Sequence, residues 1–341
     1  MPRRPLRPSP RLPGLVVLLA GLLPCPLGAQ QLVEQLRPLA KANAEAYAAP
    51  LTRGLAHSLA RGSMDRASVL GGLRFDVGVR FVGARPPAED EVFQVVLPDS
   101  VVYRPPGSSE DVVYRQPYRP RDGAEESPTV AGEGPGSVLV PDGDFEDDLI
   151  AAGEDPEDFA VALPDGLSLP VIPTMTLHGS LGIGMGTELT AHMLPPVEVL
   201  SEVGDLRSHG ATVSHEVSRW FPSPADLLVT AGFQEGRAGD FLRSSALHYG
   251  GMGGVSAGPL SLFGGLLLRR ASTRVRYRVE NPDDIPGIPA DGAELAFRTD
   301  AGSGPAWVVG ARLQLLILNL GGHYAMGPYD VFSLKVGLGL P

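Results

Sequence analysis

The sequence is short of cysteine and of long apolar runs. Among 341 residues the one cysteine is Cys25, and aromatic residues make up 6% of the chain. No stretch stays apolar over the roughly 18 residues that a membrane-spanning helix requires, and only the N-terminal stretch approaches that length. A disulfide framework is therefore excluded, and so is a bundle of membrane-spanning helices.

The N-terminal stretch has the pattern of a secretory signal peptide. An apolar run at residues 15–23 is followed by residues 27–29, which end in a small residue, Ala29, just before Gln30. Four arginines precede that run: Arg3, Arg4, Arg7 and Arg11. A single membrane anchor is the alternative, but the run is short and is broken by proline. We therefore expect export and cleavage after residue 29, which removes Cys25 and changes the net charge from −11 to −15.

Most of the remaining chain alternates between apolar and polar residues. The clearest example is residues 73–81, where odd positions are apolar and even positions are Arg, Asp or Gly. Successive side chains on a strand point to opposite faces, so this pattern predicts strands with one apolar and one polar face. Further strand-like stretches come after an acidic region: residues 181–189, 210–220, 227–234, 242–255, 260–270, 274–280, 294–298, 307–319, 321–326 and 331–340.

In an exported chain, many such strands predict an all-β fold. We expect a transmembrane antiparallel β-barrel of about 10–14 strands over residues 63–341, located in the outer membrane. The last strand alternates up to the chain end, as closing strands of outer-membrane barrels do. The expected partners are therefore outer-membrane lipid, the outer-membrane barrel assembly machinery and a small solute.

Residues 30–62 are predicted to be helical. Leucines recur at mostly helical spacing with alanines between them, and Pro38 and Pro50 should interrupt the helix. Two positions remain open for this segment. It packs against the barrel from the periplasm, or it enters the barrel as a plug.

Residues 85–173 interrupt the strand pattern, and we call them the insert. Residues 86–165 contain 20 acidic residues and four arginines. Low hydrophobicity combined with high charge predicts a loosely ordered segment without a core of its own. The acidic run at residues 142–148 lacks the glycine at the sixth loop position of an EF-hand, so a solvated surface is expected there.

Several stretches resemble one known family. Gly54-Leu55 and residues 71–77 resemble the start of an uncharacterised family of bacterial outer-membrane β-barrels, known as a domain of unknown function. Residues 210–222, 224–233 and 310–339 resemble its later landmarks. This resemblance implies a barrel in the outer membrane and assigns no activity. A helix ahead of a barrel also resembles fatty-acid-type outer-membrane channels in architecture.

Motifs for catalysis or metal binding are weak. Residues 254–258 match the G-x-S-x-G pattern, but a strand follows instead of a helix, so a hairpin turn is expected. The seven histidines show no zinc-site spacing, and His215 lies on the opposite strand face from Ser214. We expect no catalytic site, no metal and no cofactor. The charge of −15 also disfavours nucleic acid as a partner.

The polar strand faces supply the candidate site. A charge facing lipid near mid-bilayer costs roughly 2–4 kcal/mol for Arg or Lys, so these residues should face the lumen. The candidates are Arg74, Asp76, Arg80, Glu188, Arg312 and Lys335. They either brace the wall by pairing with one another or guide an anionic solute.

The expected function is an outer-membrane barrel that passes or binds a small solute, anionic or amphipathic in character. A structural or adhesive surface barrel whose acidic insert binds a partner is the alternative. A lipid-modifying outer-membrane enzyme is a second alternative.

Overall fold

The structure is a computed structural model that describes residues 35–37, 39–61, 64–106, 108–200 and 204–340. The predicted signal peptide at residues 1–29 lies outside the described residues, and so does Pro38.

Within the described residues, two α-helices and seventeen strands are formed, together with three short 3-10 turns. The helices are α1 (Lys41–Leu59) and α2 (Asp144–Ala152). The strands are β1 (Phe75–Arg85), β2 (Val92–Gln94), β3 (Ser100–Tyr103), β4 (Val112–Arg115), β5 (Tyr118–Pro120), β6 (Glu126–Pro128), β7 (Val138–Pro141), β8 (Val161–Ala162), β9 (Ile172–Gly184), β10 (Thr187–Leu200), β11 (Gly204–Glu216), β12 (Asp226–Ala238), β13 (Leu242–Ala257), β14 (Leu260–Arg278), β15 (Glu294–Leu315), β16 (Leu318–Met326) and β17 (Asp330–Gly339).

Ten of these strands close into one antiparallel barrel, in agreement with the predicted fold class. Strands β9 to β17 pair with their neighbours in chain order, and β1 pairs with both β9 and β17. The first and last barrel strands therefore lie side by side, with Arg80 directly opposite Lys335. This closure brings residues from the two ends of the sequence into one site.

The two ends of the barrel differ in the length of their connections. At one end, short turns join β9 to β10, β13 to β14 and β15 to β16. The opposite end carries the insert and the connection from Arg278 to Glu294. We call these the short-turn end and the long-loop end. The G-x-S-x-G stretch forms one of the short turns, with Gly258 at a φ of +59°, so it is a hairpin turn as the sequence predicts.

Several strand boundaries differ from those predicted. The predicted strand at residues 181–189 contains the turn between β9 and β10, where Met185 has a φ of +51°, and the predicted strand at residues 307–319 contains the turn between β15 and β16. Strand β1 begins at Phe75, because residues 71–74 form a turn in which Leu73 has a φ of +62°. Strands β14 and β15 are each continuous where the sequence indicates two shorter strands. Their register shifts between Arg270 and Ser272, because β15 has one extra residue there, in a bulge that contains Gly302 (φ +79°). The bulge absorbs the irregular stretch without ending the strand.

Helix α1 continues through Pro50, so the predicted interruption there is wrong. Proline removes one backbone donor from a helix, and here the surrounding barrel holds the segment in place despite that loss. Residues 30–34 of the predicted helical segment lie outside the described residues, and α1 runs from Lys41 to Leu59. No helix among the described residues is long and apolar enough to cross a membrane.

The insert is folded, which corrects the prediction of a loosely ordered segment without a core. Strands β2–β8 form three small sheets beside helix α2. Six buried side chains form its core: Val101, Tyr114, Tyr118, Leu139, Phe145 and Leu149. Burial and the neighbouring Asp148 carboxylate raise the pKa of Tyr114 to about 12, so its hydroxyl remains a donor to Asp148. The acids lie mostly on the surface, and the few aromatic residues are enough for a core.

The barrel wall has an apolar outer face and a mixed inner face. Large apolar side chains are exposed on every second residue of the wall, as on β17, where Phe332, Leu334, Val336 and Leu338 point outward. Residues between them are buried and point into the lumen. A water-soluble protein rarely exposes so large an apolar surface.

A plugged lumen as the candidate functional site

The lumen is occupied by residues 41–61 and 64–70, which we call the plug. Helix α1 enters from the long-loop end, where the hydroxyl of Tyr277 donates to the backbone oxygen of Leu39 at 3.0 Å. Further along, Thr273 donates to the backbone oxygen of Thr52 at 2.8 Å. The plug reaches the short-turn end, where the amide of Leu70 donates to Glu188 at 2.8 Å. The sequence left two positions open for this segment, and in the structure it lies inside the barrel as a plug.

Small residues make room for the plug. A Cβ on Gly254 of β13 would lie 2.6 Å from the Cβ of Ala67, and one on Gly54 of the helix would lie 3.2 Å from the Cβ of Ile172 in β9. The part of the plug near the long-loop end packs against apolar wall residues such as Val275 and Phe297. The plug and the barrel wall therefore approach each other closely both at Gly54 and at Ala67.

The part of the lumen near the short-turn end is polar and charged. Asp65 of the plug forms an ion pair with Arg80, and it accepts a hydrogen bond from Lys335 at 2.8 Å. Lys335 also lies 3.0 Å from Asp76, so one ammonium group joins both carboxylates. All four side chains are buried. A plug carboxylate is thus held between two cations of the wall.

A second set of ion pairs lies next to the first. Arg66 of the plug pairs with Glu188 and lies 3.7 Å from Asp76. Arg312 lies 3.6 Å from the same carboxylate and donates to Asn319 at 2.6 Å. The two sets form one network that links the plug to strands β1, β10, β15 and β17.

Five of the six residues singled out from the sequence meet in this network: Asp76, Arg80, Glu188, Arg312 and Lys335. Arg74 does not join them. It is exposed and precedes β1, since the turn at Leu73 breaks the strand alternation there. The prediction that Arg74 faces the lumen is corrected accordingly.

Three buried charges that the plug contributes were not predicted: Arg61, Asp65 and Arg66. They lie between the end of α1 and the start of β1, in a stretch that has neither helical nor strand periodicity. Arg61 donates to Thr176 of β9 at 3.3 Å. The sequence does show three charged residues within six positions, a short distance before the first barrel strand.

Histidines also line the lumen. His178, His192, His248 and His323 are buried on the inner wall, and His178 lies 3.5 Å from Asp76. Among the described residues, no group of three potential ligands has the geometry to hold a metal ion. His215 and Ser214 make separate contacts, since His215 bonds to Thr187 at 2.9 Å and Ser214 to Thr230 at 3.1 Å.

The insert covers the plug at the long-loop end. Asn43 of α1 exchanges two hydrogen bonds with the backbone of Val96, at 3.0 and 2.9 Å. Asp90 accepts a hydrogen bond from Tyr329, and burial together with that carboxylate raises the pKa of the tyrosine above its ordinary value. A cavity of about 100 Å³ remains between helix α1, the insert and the loop near Ile288.

The chain matches one protein family by sequence and is similar to several solved barrel structures. The model of a family of unknown function, DUF6588, matches residues 12–340. No curated protein matches the sequence.

Three similar solved structures illustrate the range of barrels. The attachment invasion locus protein Ail of Yersinia pestis, in complex with the heparin analogue sucrose octasulfate, is 8% identical over 79% of this chain and 97% of its own, with a TM-score of 0.24. The translocator domain of the autotransporter NalP from Neisseria meningitidis is 10% identical over 80% of this chain and 89% of its own, with a TM-score of 0.28. A BenF-like porin from Pseudomonas fluorescens Pf-5 is 11% identical over 80% of this chain and 99% of its own, with a TM-score of 0.16.

Proposed function

The chain belongs to DUF6588, a family of unknown function, and from its geometry we propose that the protein is a gated outer-membrane barrel that binds or passes a small anionic solute. In this proposal the plug closes the resting lumen, and its movement admits the solute. Catalysis has no part in it.

The outer face of the wall supports the membrane location. Apolar side chains cover it around the barrel, as lipid contact requires, and short turns at one end with long connections at the other are typical of outer-membrane barrels. The signal-like N-terminal stretch agrees with export. By the same rule the long-loop end, with the insert, faces the exterior of the cell.

The contact between Asp65 and the wall carries the functional part of the proposal. Its carboxylate sits between the guanidinium group of Arg80 and the ammonium group of Lys335, where a carboxylate or phosphate solute would make the same charge-assisted bonds. Asp65 thus occupies the place of an anionic solute while the plug is in the lumen. When the plug leaves, Arg80 loses the carboxylate it pairs with and Lys335 keeps only Asp76, so a solute anion would replace the missing charge, because an unpaired buried charge is costly.

The remaining wall charges favour an anion as well. Without the plug, the network consists of three cations (Arg80, Arg312 and Lys335) and two carboxylates (Asp76 and Glu188). A ring of basic side chains selects anions in other pores. A polar inner wall also suits water.

Locking the plug tests the proposal. The Cβ atoms of residues 54 and 172 would lie 3.2 Å apart, close to the 3.5–4.5 Å of disulfides, so the double variant Gly54→Cys/Ile172→Cys in a C25S background should cross-link α1 to β9. We expect single-channel conductance with anion selectivity in the reduced protein and its loss on oxidation. The two single-cysteine variants are the controls and should conduct under both conditions. Equal conductance of the oxidised and reduced double variant would show that the plug is not the gate.

The folded insert favours one second candidate, a surface protein that binds a cationic partner. Its own core holds an acidic surface in a defined shape at the long-loop end. Absence of conductance in the reduced lock variant and in variants with a weakened plug would favour this candidate over the channel.

A further inference from the structure

Five arginines lie side by side on the barrel wall near the long-loop end. The strand register pairs Arg207 with Arg237, Arg237 with Arg243, Arg243 with Arg274, and Arg274 with Arg298. These residues come from five consecutive strands, β11 to β15, and we call them the arginine row. Its two ends are far apart in the sequence, and the row exists only through the strand register.

The arginine row points away from the lumen. The next residue of β14, Val275, is buried against the plug, and Arg274 is exposed. Arg207, Arg243 and Arg298 are exposed in the same way. On β14 the exposed residues Arg270, Arg276 and Arg278 extend this basic surface along the strand.

Like charges directly opposite each other on neighbouring strands destabilise a sheet. The carboxylates near the row compensate only part of this repulsion. Glu235 pairs with Arg237 at 2.7 Å and with Arg243 at 2.8 Å, and Asp300 pairs with Arg298 at 3.2 Å. Among the described residues, neither Arg207 nor Arg274 has a carboxylate within ion-pair distance. Two carboxylates therefore face five cations.

The distance of the arginine row from the apolar band of the wall indicates which anion compensates its positive charge. On β13 the outward residue Leu247 belongs to the apolar band, and Arg243 is two outward positions further toward the long-loop end. Four residues of a strand tilted by about 40° rise roughly 10 Å. Lipid headgroups begin directly above the hydrocarbon layer, and the long arginine side chain can bend back toward them.

We propose that the arginine row binds phosphate groups carried by lipid headgroups of the outer leaflet. Guanidinium groups bind phosphate oxygens in bidentate fashion, and neighbouring strands place the arginines about 5 Å apart, so that one phosphate bridges two of them. The inference rests on the proposed outer-membrane location with the long-loop end outside. It gives the barrel a lipid-binding face that is separate from its lumen.

The test compares two triple variants with equal loss of charge. R207Q/R243Q/R274Q removes the first, third and fourth of the five arginines. It breaks the pair of Glu235 with Arg243 but keeps the pairs of Glu235 with Arg237 and of Asp300 with Arg298. The control R104Q/R115Q/R121Q removes three exposed arginines of the insert. Diphosphoryl lipid A is titrated into each refolded protein in non-ionic detergent, with inorganic phosphate as the soluble probe.

We expect the row variant to bind lipid A at least about tenfold more weakly than the wild type and the insert control to bind as the wild type does. The difference should shrink at high salt. Inorganic phosphate at equal phosphate concentration should displace little lipid A. Equal affinity of the row variant and the wild type would overturn the proposal, and equally effective inorganic phosphate would overturn its lipid part.

Insertion into vesicles separates this proposal from the one it rests on. If the wild type fails to insert into lipid vesicles, the membrane location is wrong. If it inserts and the row variant binds lipid A like the wild type, only the assignment of the arginine row is wrong.

Discussion

Replacing Asp65 with asparagine should release the plug and raise the open fraction of the lumen at least about 100-fold. Asparagine keeps the shape of the side chain but removes the charge that faces Arg80 and Lys335. Breaking a buried ion pair by removing one partner costs about 3–5 kcal/mol. Each 1.4 kcal/mol is a factor of ten in an equilibrium, which gives the expected size of the change. The measurement is open probability in planar bilayers.

Two controls make this experiment specific. D111N makes the same chemical change at the exposed pair of Arg104 and Asp111 and should leave open probability unchanged, because surface pairs contribute about 0–1 kcal/mol. The double variant D65N/R80Q should open less than the sum of its single variants predicts, since both residues belong to one pair. Unchanged open probability in D65N would remove Asp65 from the gate.

The fold was predictable because lipid and plug impose opposite demands on the two faces of each strand. Every barrel strand therefore carries alternation, and the ten strands found lie at the lower end of the expected range. The sequence pattern indicated two shorter strands in place of β14 and two in place of β15. Beyond Leu268 the outward residues of β14 leave the apolar band and are arginine except for Ser272, so the alternation weakens although the strand continues to Arg278.

The candidate site was partly predictable from barrel closure. The first and last strands of a closed barrel must be neighbours, which is why Arg80 and Lys335 meet although they are far apart in the sequence. Asp65 and Arg66 were not predictable in the same way. Their positions depend on how an irregular segment crosses the lumen, and no periodicity reports that path.

The insert shows the limit of composition as a guide to order. Average hydrophobicity and charge over residues 86–165 describe its surface, because most of its residues are on the surface. A small core needs only a few aromatic residues at the right distances. The rings of Tyr103, Tyr114, Tyr118 and Phe159 all lie within 6.1 Å of the ring of Phe145, measured between centroids.

Replacing Phe145 with alanine should therefore unfold the insert while the barrel stays closed. Phe145 is 1% exposed and is the centre of the aromatic cluster, and replacement of a buried phenylalanine by alanine costs about 3–5 kcal/mol. A core of six buried side chains has little stability to spare for such a loss. The measurement is limited proteolysis, which should cut within residues 86–171 much faster than in the wild type. Heat-dependent gel mobility reports whether the barrel remains folded.

The matched control lies on the same helix. Ile150 is apolar like Phe145, but its side chain is 58% exposed on α2, so its replacement by alanine should change stability by less than about 0.5 kcal/mol. If F145A and I150A are cleaved at the same rate, the aromatic cluster does not hold the insert together. If F145A also loses the closed barrel, the insert and the barrel fold as one unit. That result would fit the hydrogen bonds that connect Asn43 of the plug to Val96 and Tyr118 to the loop oxygen of Pro286.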